Sequence, residues 1–138
     1  MLTVDVERER LGLTVGSLVS LSLEPPLVGV SVSRQAAMHE LLRRAGGFAL
    51  SLLAGDQEAV AQHFARGVPP FAHWHGIATK EDAAGAPLID DALGWLECQT
   101  RAEHEAGDHT LFVGQVLAAE RGRGAPPLVY VGRRYVSL

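Results

Sequence analysis

The chain reads as mainly β with α insertions, folded as an antiparallel Greek-key barrel that is closed or partly closed. Three observations predict this. Short alternating apolar segments outnumber helical ones, and Pro and Gly separate them at tight intervals. Only two helical stretches occur, both in the first half, whereas a doubly wound α/β fold would alternate helix with strand throughout.

Leu2–Glu7 alternates Leu2, Val4 and Val6 with Thr3, Asp5 and Glu7, the pattern of a half-buried strand. Arg8–Gly12 is expected to be a hairpin turn, and Leu13–Leu23 a second alternating strand. Pro25-Pro26 ends it, since proline cannot donate to a ladder. Leu27–Ser33 is the next strand. Ser33 is then expected to cap a helix in which Met38, Leu41, Leu42 and Ala45 follow i, i+3, i+4, i+7 spacing, and Gly46-Gly47 stops it.

Phe48–Leu53 reads as a strand. Asp56 is expected to cap a second helix running to Arg66, with Val60, Ala61 and Phe64 inside. A loop region, Gly67–Gly85, carries His73-Trp74-His75. In Trp95–Glu105 the alternation turns Leu96, Cys98, Thr100, Ala102 and His104 inward. Glu105–His109 is the turn into Thr110–Ala119, which is apolar or small on both faces and so expected to be covered on both. Leu128–Val131 and Tyr135–Leu138 are expected to close the barrel.

Residues 1–138 are expected to form a single domain, large enough for a core without staples. A net charge of −4 argues against a nucleic-acid surface, which needs concentrated Lys and Arg. Cys98 is the lone cysteine and cannot form an internal disulfide, which suits a reducing compartment. Asp5, Glu7, Arg8, Glu9 and Arg10 exclude a signal peptide in the first ten residues, and no apolar run nears membrane-spanning length. The expectation is a cytoplasmic protein without membrane or nucleic-acid partners.

Three stretches could carry chemistry. Gly12–Pro26 offers Thr14, Gly16, Ser20 and Ser22 on one strand face, bare enough for a flat aromatic ligand to approach the backbone. Composition alone favours an ordinary solvent-facing side instead. Ser31–Arg34 runs into a helix start, where N–H groups, the helix dipole and a guanidinium fork suit a phosphate. An ordinary N-cap beside a surface arginine fits those residues equally well. Glu105–His109 places a His beside an Asp at a hairpin tip; the residues by themselves favour a simple Gly-Asp turn. His73 and His75 lack a third ligand nearby in sequence, so no metal site is expected.

In order, Gly12-x-Thr-Val-x-Ser-x-x-Ser-x-Ser-x-Glu-Pro-Pro26, Leu27–Arg34, His39-Glu-Leu-Leu42, Gly47–Leu53, Ala92–Cys98 and Glu105–Gly114 resemble the flavin-reductase-like, FMN-binding split-barrel family. The resemblance covers nearly the whole chain. It implies a six-stranded split barrel with helical insertions, a homodimer with flavin near the interface, and hydride transfer from NADH or NADPH to FMN, with FAD possible. Reduced flavin would then feed a partner monooxygenase. By position, Leu13, Thr14, Gly16 and Ser17 would line the isoalloxazine, largely through backbone groups. Ser31, Val32, Ser33 and Arg34 would approach the ribityl chain and phosphate, and His39 the flavin tail. His109 would stand at the nicotinamide side as a positioning group.

Three departures accompany the resemblance. Gln35-Ala-Ala-Met38 stands where the family has Ser/Thr-rich residues. Hydrogen bonds to a charged group are worth about 1.5–3 kcal/mol each, so lost hydroxyls weaken a phosphate site unless Arg34 and helix N–H groups compensate. The chain starts almost at the first strand, where the family usually has a helix before it. Val68-Pro-Pro-Phe71 replaces a charged Asp/Lys-Arg-Phe element. Two alternatives follow: an electron-transfer module that holds flavin without reductase turnover, or a non-catalytic split-barrel dimer that has lost it.

Overall fold

The computed structural model describes residues 1–66, 68–80 and 85–138; Gly67 and residues 81–84 of the expected loop lie outside them. Among the described residues, nine strands and two α-helices follow one another as β1 (Leu2–Val6), β2 (Glu9–Leu13), β3 (Val19–Leu23), β4 (Pro26–Ser33), α1 (Ala37–Ala45), β5 (Gly47–Leu52), α2 (Glu58–Ala65), β6 (Gly94–Ala106), β7 (His109–Arg121), β8 (Leu128–Val131) and β9 (Arg134–Ser137). One antiparallel sheet has the order β2-β1-β5-β6-β7-β4-β3, and β8 and β9 pair separately.

The sheet has to curl. Its edge strands β2 and β3 are joined only by residues 14–18. Six chain steps from Leu13 to Val19 reach about 20 Å at full extension. Laid flat, seven strands would separate those edges by about 29 Å. The short crossover therefore pulls the edges toward each other into a split barrel, and its backbone leaves the ladder to span the gap.

The core fills the inside of this curl. Leu2, Val4, Val30, Val32, Leu50 and Phe112 are essentially solvent-free, and α1 lays Met38, Leu41 and Leu42 over them. The α1 stripe obeys the expected spacing, and Gly46 ends the helix at φ 69°, a conformation that favours glycine. Gly114 lets Phe48 cross β7, since a Cβ there would lie 2.5 Å from Phe48 Cζ.

Several local expectations are corrected. The first turn is Glu7-Arg8, with both residues at positive φ, and Glu9–Leu13 pairs with β1 rather than turning. The expected strand Leu13–Leu23 breaks at the crossover. Ser33 does not cap α1: it still pairs with His109 in the sheet, and the helix begins after Ala36 without a side-chain cap. Asp56 does not cap α2 either, because its carboxylate takes Arg123. His104 is exposed, not inward, since the ladder shifts register between Thr100 and Ala102. The outer face of β7 is only half covered by this chain. Finally, β8 and β9 do not close the barrel. They form a separate hairpin, rooted on the segment after β5 by Leu128 N–H to Leu53 O (3.1 Å) and Gly55 N–H to Pro126 O (2.7 Å).

The exposed edge β2 is latched by side chains. Gly12 N–H donates to His73 Nε2 (2.9 Å), and Trp74 Nε1–H donates to Arg10 O (3.0 Å). Phe64 of α2 stacks edge-on against His73, at 4.9 Å between centroids. Such cover removes the open backbone groups that make edge strands prone to pairing with other chains.

Candidate functional site

The crossover that curls the sheet also forms one wall of a cavity of about 720 Å³. Thr14, Val15, Gly16 and Leu18 lie on that wall. Leu50–Leu53 at the end of β5, Ala61 and Ala65 of α2, and Tyr130 and Tyr135 of the β8–β9 hairpin also line it. This volume falls in the range of small-molecule sites, and its largely apolar lining with a few polar groups matches their character.

The hydroxyls of the crossover are spent on the protein. Thr14 Oγ1 donates to Ala61 O (2.7 Å), tying the wall to α2. Ser17 Oγ donates to Ser31 O (2.9 Å) and accepts Ser31 N–H (3.1 Å). Because β3 begins at Val19, paired with Gly29, β4 has no strand partner on that side at Ser31. Ser17 supplies the missing bonds. Thr14, Val15 and Gly16 line the cavity, and Gly16 is exposed, with no heavy atom within 4 Å of where a Cβ would stand. Leu13 is half-buried in register with Leu2.

A polar corner forms where β4 leaves the sheet. Ser33 sits directly opposite His109, and Arg34 N–H donates to Asp108 O (2.9 Å). His109 Nδ1–H donates to Asp108 Oδ1 (2.7 Å), which turns Nε2 outward. That hydrogen bond, with the charge of His109, holds the Asp108 carboxyl below its usual range. Arg34 is exposed and has no ion-pair partner among the described residues.

Strand alternation divides the remaining residues. Ser31 and Ser33, with their partners Leu111 and His109, share the outer face, whereas Val32 (1% exposed) and its partner Thr110 face the core. His39 lies on that inner side, its Nε2 2.7 Å from Thr110 Oγ1 and its ring edge-on to Phe112. The sheet thus brings Ser31, Ser33 and His109 together and separates His39 from them. Val32 offers a ligand only its backbone.

The sequence reading missed Leu50–Leu53, Ala61, Ala65 and the tyrosine hairpin as cavity walls. Small and aliphatic residues on β5 and α2 carry no motif, and the tyrosines read as barrel closure. Cys98, by contrast, is buried as expected, and burial pushes its thiol up to about 11, with Glu97 adding to the shift.

Residues 1–138 match the family described as flavin reductase like domain. The chain belongs to this family. It is 44% identical over 129 residues to the reductase component of 4-hydroxyphenylacetate 3-monooxygenase from Thermus thermophilus, covering 94% of this chain and 79% of that one. It is 41% identical over 127 residues to an NADH-dependent flavin reductase from a Rhodococcus species, covering 88% of this chain and 66% of that one. The fold superposes on the NADH:FAD oxidoreductase of Streptomyces globisporus with a TM-score of 0.92 at 36% identity, covering 99% of this chain and 82% of that one. That relative has also been solved in complex with NAD and FAD fragments. Among the described residues, no helix of this flavin-reductase-like chain is long and apolar enough to cross a membrane.

Proposed function

We propose that the chain is an NADH-dependent flavin reductase that takes FMN, with FAD as the alternative flavin, and passes the reduced flavin to a separate monooxygenase. The observation that carries this is the crossover wall. Its hydroxyls are fixed on protein atoms, so a rigid backbone and the bare Gly16 face a ring-sized cavity. When bound, flavin supplies the hydride acceptor and the dihydronicotinamide supplies the hydride.

The chain's part is holding and orienting. Thr14–Gly16 would receive the ring through backbone groups, with Leu13 and Ser17 flanking it. Ser31, Val32, Ser33 and Arg34 lead away from it along β4, and Arg34 would give the phosphate its charge partner. The start of α1 has Ala36 and Ala37 where hydroxyls would strengthen that grip. A loose grip suits a flavin that enters, is reduced and leaves. His39, across the sheet, would support the tail only through the α1 start. His109, oriented by Asp108, would position the nicotinamide through its outward nitrogen.

The assembly we propose is a homodimer. Val19, Leu21 and Leu111 converge over Gly29 on the outer face that also bears Ser31, Ser33 and His109. A second copy seated there would cover the half-exposed apolar face and help enclose the corner. A lone thiol suits the reducing cytoplasm.

Mixing the protein with NADH and either FMN or FAD tests this reading. NADH oxidation that requires both protein and flavin is the expected result. Flavin binding without oxidation would select an electron-transfer module, and no binding would leave a scaffold.

A further inference from the structure

The connection from β4 to α1 is pinned at both ends to the start of β7. At its first residue, Arg34 N–H donates to Asp108 O (2.9 Å). Beyond its far end, in the first turn of α1, His39 Nε2 and Thr110 Oγ1 share a hydrogen bond of 2.7 Å. The same histidine closes that turn, its N–H donating to Ala36 O (3.0 Å). Packing of α1 does not require the second tie. Met38, Leu41 and Leu42 already bury the helix against the core, and an apolar side chain at 39 would also pack on Phe112, as the imidazole edge does. A hydrogen bond to a threonine only 7% exposed costs desolvation and returns little net stability. What it adds is direction, which apolar contact lacks. The first turn of α1 needs that direction, because the helix begins after Ala36 without a side-chain cap.

We propose that His39 and Thr110 are positioning residues whose bond sets the spacing between Arg34, the phosphate partner proposed above, and His109, the nicotinamide guide proposed above. This deepens the flavin-reductase reading and rests on it. Neither side chain touches a ligand, since both lie on the core side of the sheet, across from Ser31, Ser33 and His109. They act through the backbone. Thr110 directly follows His109 on β7, and Asp108, which holds Arg34, directly precedes it. With the His39–Thr110 bond made, Arg34 and His109 belong to one frame. With it broken, the first turn of α1 pivots on the Arg34–Asp108 bond alone. Transfer between two cofactors demands that both be held at reacting distance. The loss therefore falls on grip of the charged flavin tail and on nicotinamide placement, and spares affinity for the flavin ring.

The test uses the full chain, with FMN, riboflavin and NADH as probes. Thr110→Val removes the hydroxyl at constant shape, and His39→Phe keeps a ring on Phe112 without the nitrogen. Each is expected to weaken FMN about fivefold, the net worth of one hydrogen bond, and riboflavin hardly at all. At saturating FMN, each should raise the KM for NADH by a similar factor and change kcat less. The double variant should lose no more than either single one, because both remove the same bond. His39→Gln, whose amide nitrogen can take the place of Nε2, should recover most of the loss. A bond that only holds the helix gives another result: lower melting temperatures, with the FMN-to-riboflavin affinity ratio and the KM for NADH at wild-type values. That result would overturn the proposal and leave the flavin reading standing, and so would equal losses for FMN and riboflavin. Wild-type protein that binds neither flavin would remove the flavin reading and this inference together.

Discussion

The Ser17 hydroxyl satisfies both backbone groups of Ser31, donating to its carbonyl at 2.9 Å and accepting its N–H at 3.1 Å. One side chain thus finishes the edge of β4 where β3 stops short, and it fixes the crossover that walls the cavity. Ser17→Ala should cost about 1–3 kcal/mol, the usual penalty for orphaning a polar group away from water. Urea unfolding measures this. A midpoint equal to wild type would show that solvent replaces the bond.

Gly16 separates binding from folding. No atom lies within 4 Å of its missing Cβ, so Gly16→Val should leave the melting temperature nearly unchanged. The new methyls would project from the wall proposed to meet the ring. We expect at least about tenfold weaker flavin binding, or about 1.4 kcal/mol, by fluorescence titration. Unchanged affinity would move the ring off this wall.

Arg34 should read the phosphate alone. Arg34→Ala is expected to weaken FMN about tenfold, discounted for its exposure, and riboflavin hardly at all. The difference should shrink in high salt. Equal losses for both ligands would show that Arg34 does not meet the phosphate.

His73 makes the β2 latch sensitive to acid. Burial is the main cause that lowers its pKa in the folded chain, while Gly12 O, 3.1 Å from Nε2, opposes the shift and His63 adds to it. The unfolded chain therefore binds the proton more readily. The stability linked to His73 is fully present above the unfolded value, about 6.5, and is lost as pH falls toward the lower folded value. Its Nδ1 is buried without a partner, so protonation adds a buried charge and also ends the acceptance of Gly12 N–H. Thermal melts from neutral to mildly acidic pH should show a steeper fall for wild type than for His73→Gln. Parallel curves would dissociate the histidine from the effect.

Much of this was legible in the residues. Alternation located the strand around Val4, apolar runs between Pro and Gly located those around Val30 and Phe48, and the Met38–Ala45 stripe located α1, because these patterns record burial directly. The Thr14–Gly16 wall and the Arg34–His109 corner came from motif order along the chain. What failed depended on distant partners. Asp56 looked like a cap until Arg123, far along the chain, claimed it. Ser33 looked like a cap because its pairing with His109 is invisible locally. The crossover at 14–18 keeps the alternating pattern of a strand, and only the closure of the sheet breaks it. Tyr130 and Tyr135 alternate as barrel strands would, while the hairpin's root at Leu53 and Gly55 places them over the cavity instead.

On the proposed reading, this cavity presents flavin to a nicotinamide. Anaerobic mixing of the protein with FMN and equimolar NADH, followed in the flavin's visible absorption band, tests it most directly. Bleaching far faster than in the protein-free mixture is expected, slowed in Gly16→Val. Bleaching no faster than the protein-free control, at flavin concentrations where binding is saturated, would contradict it.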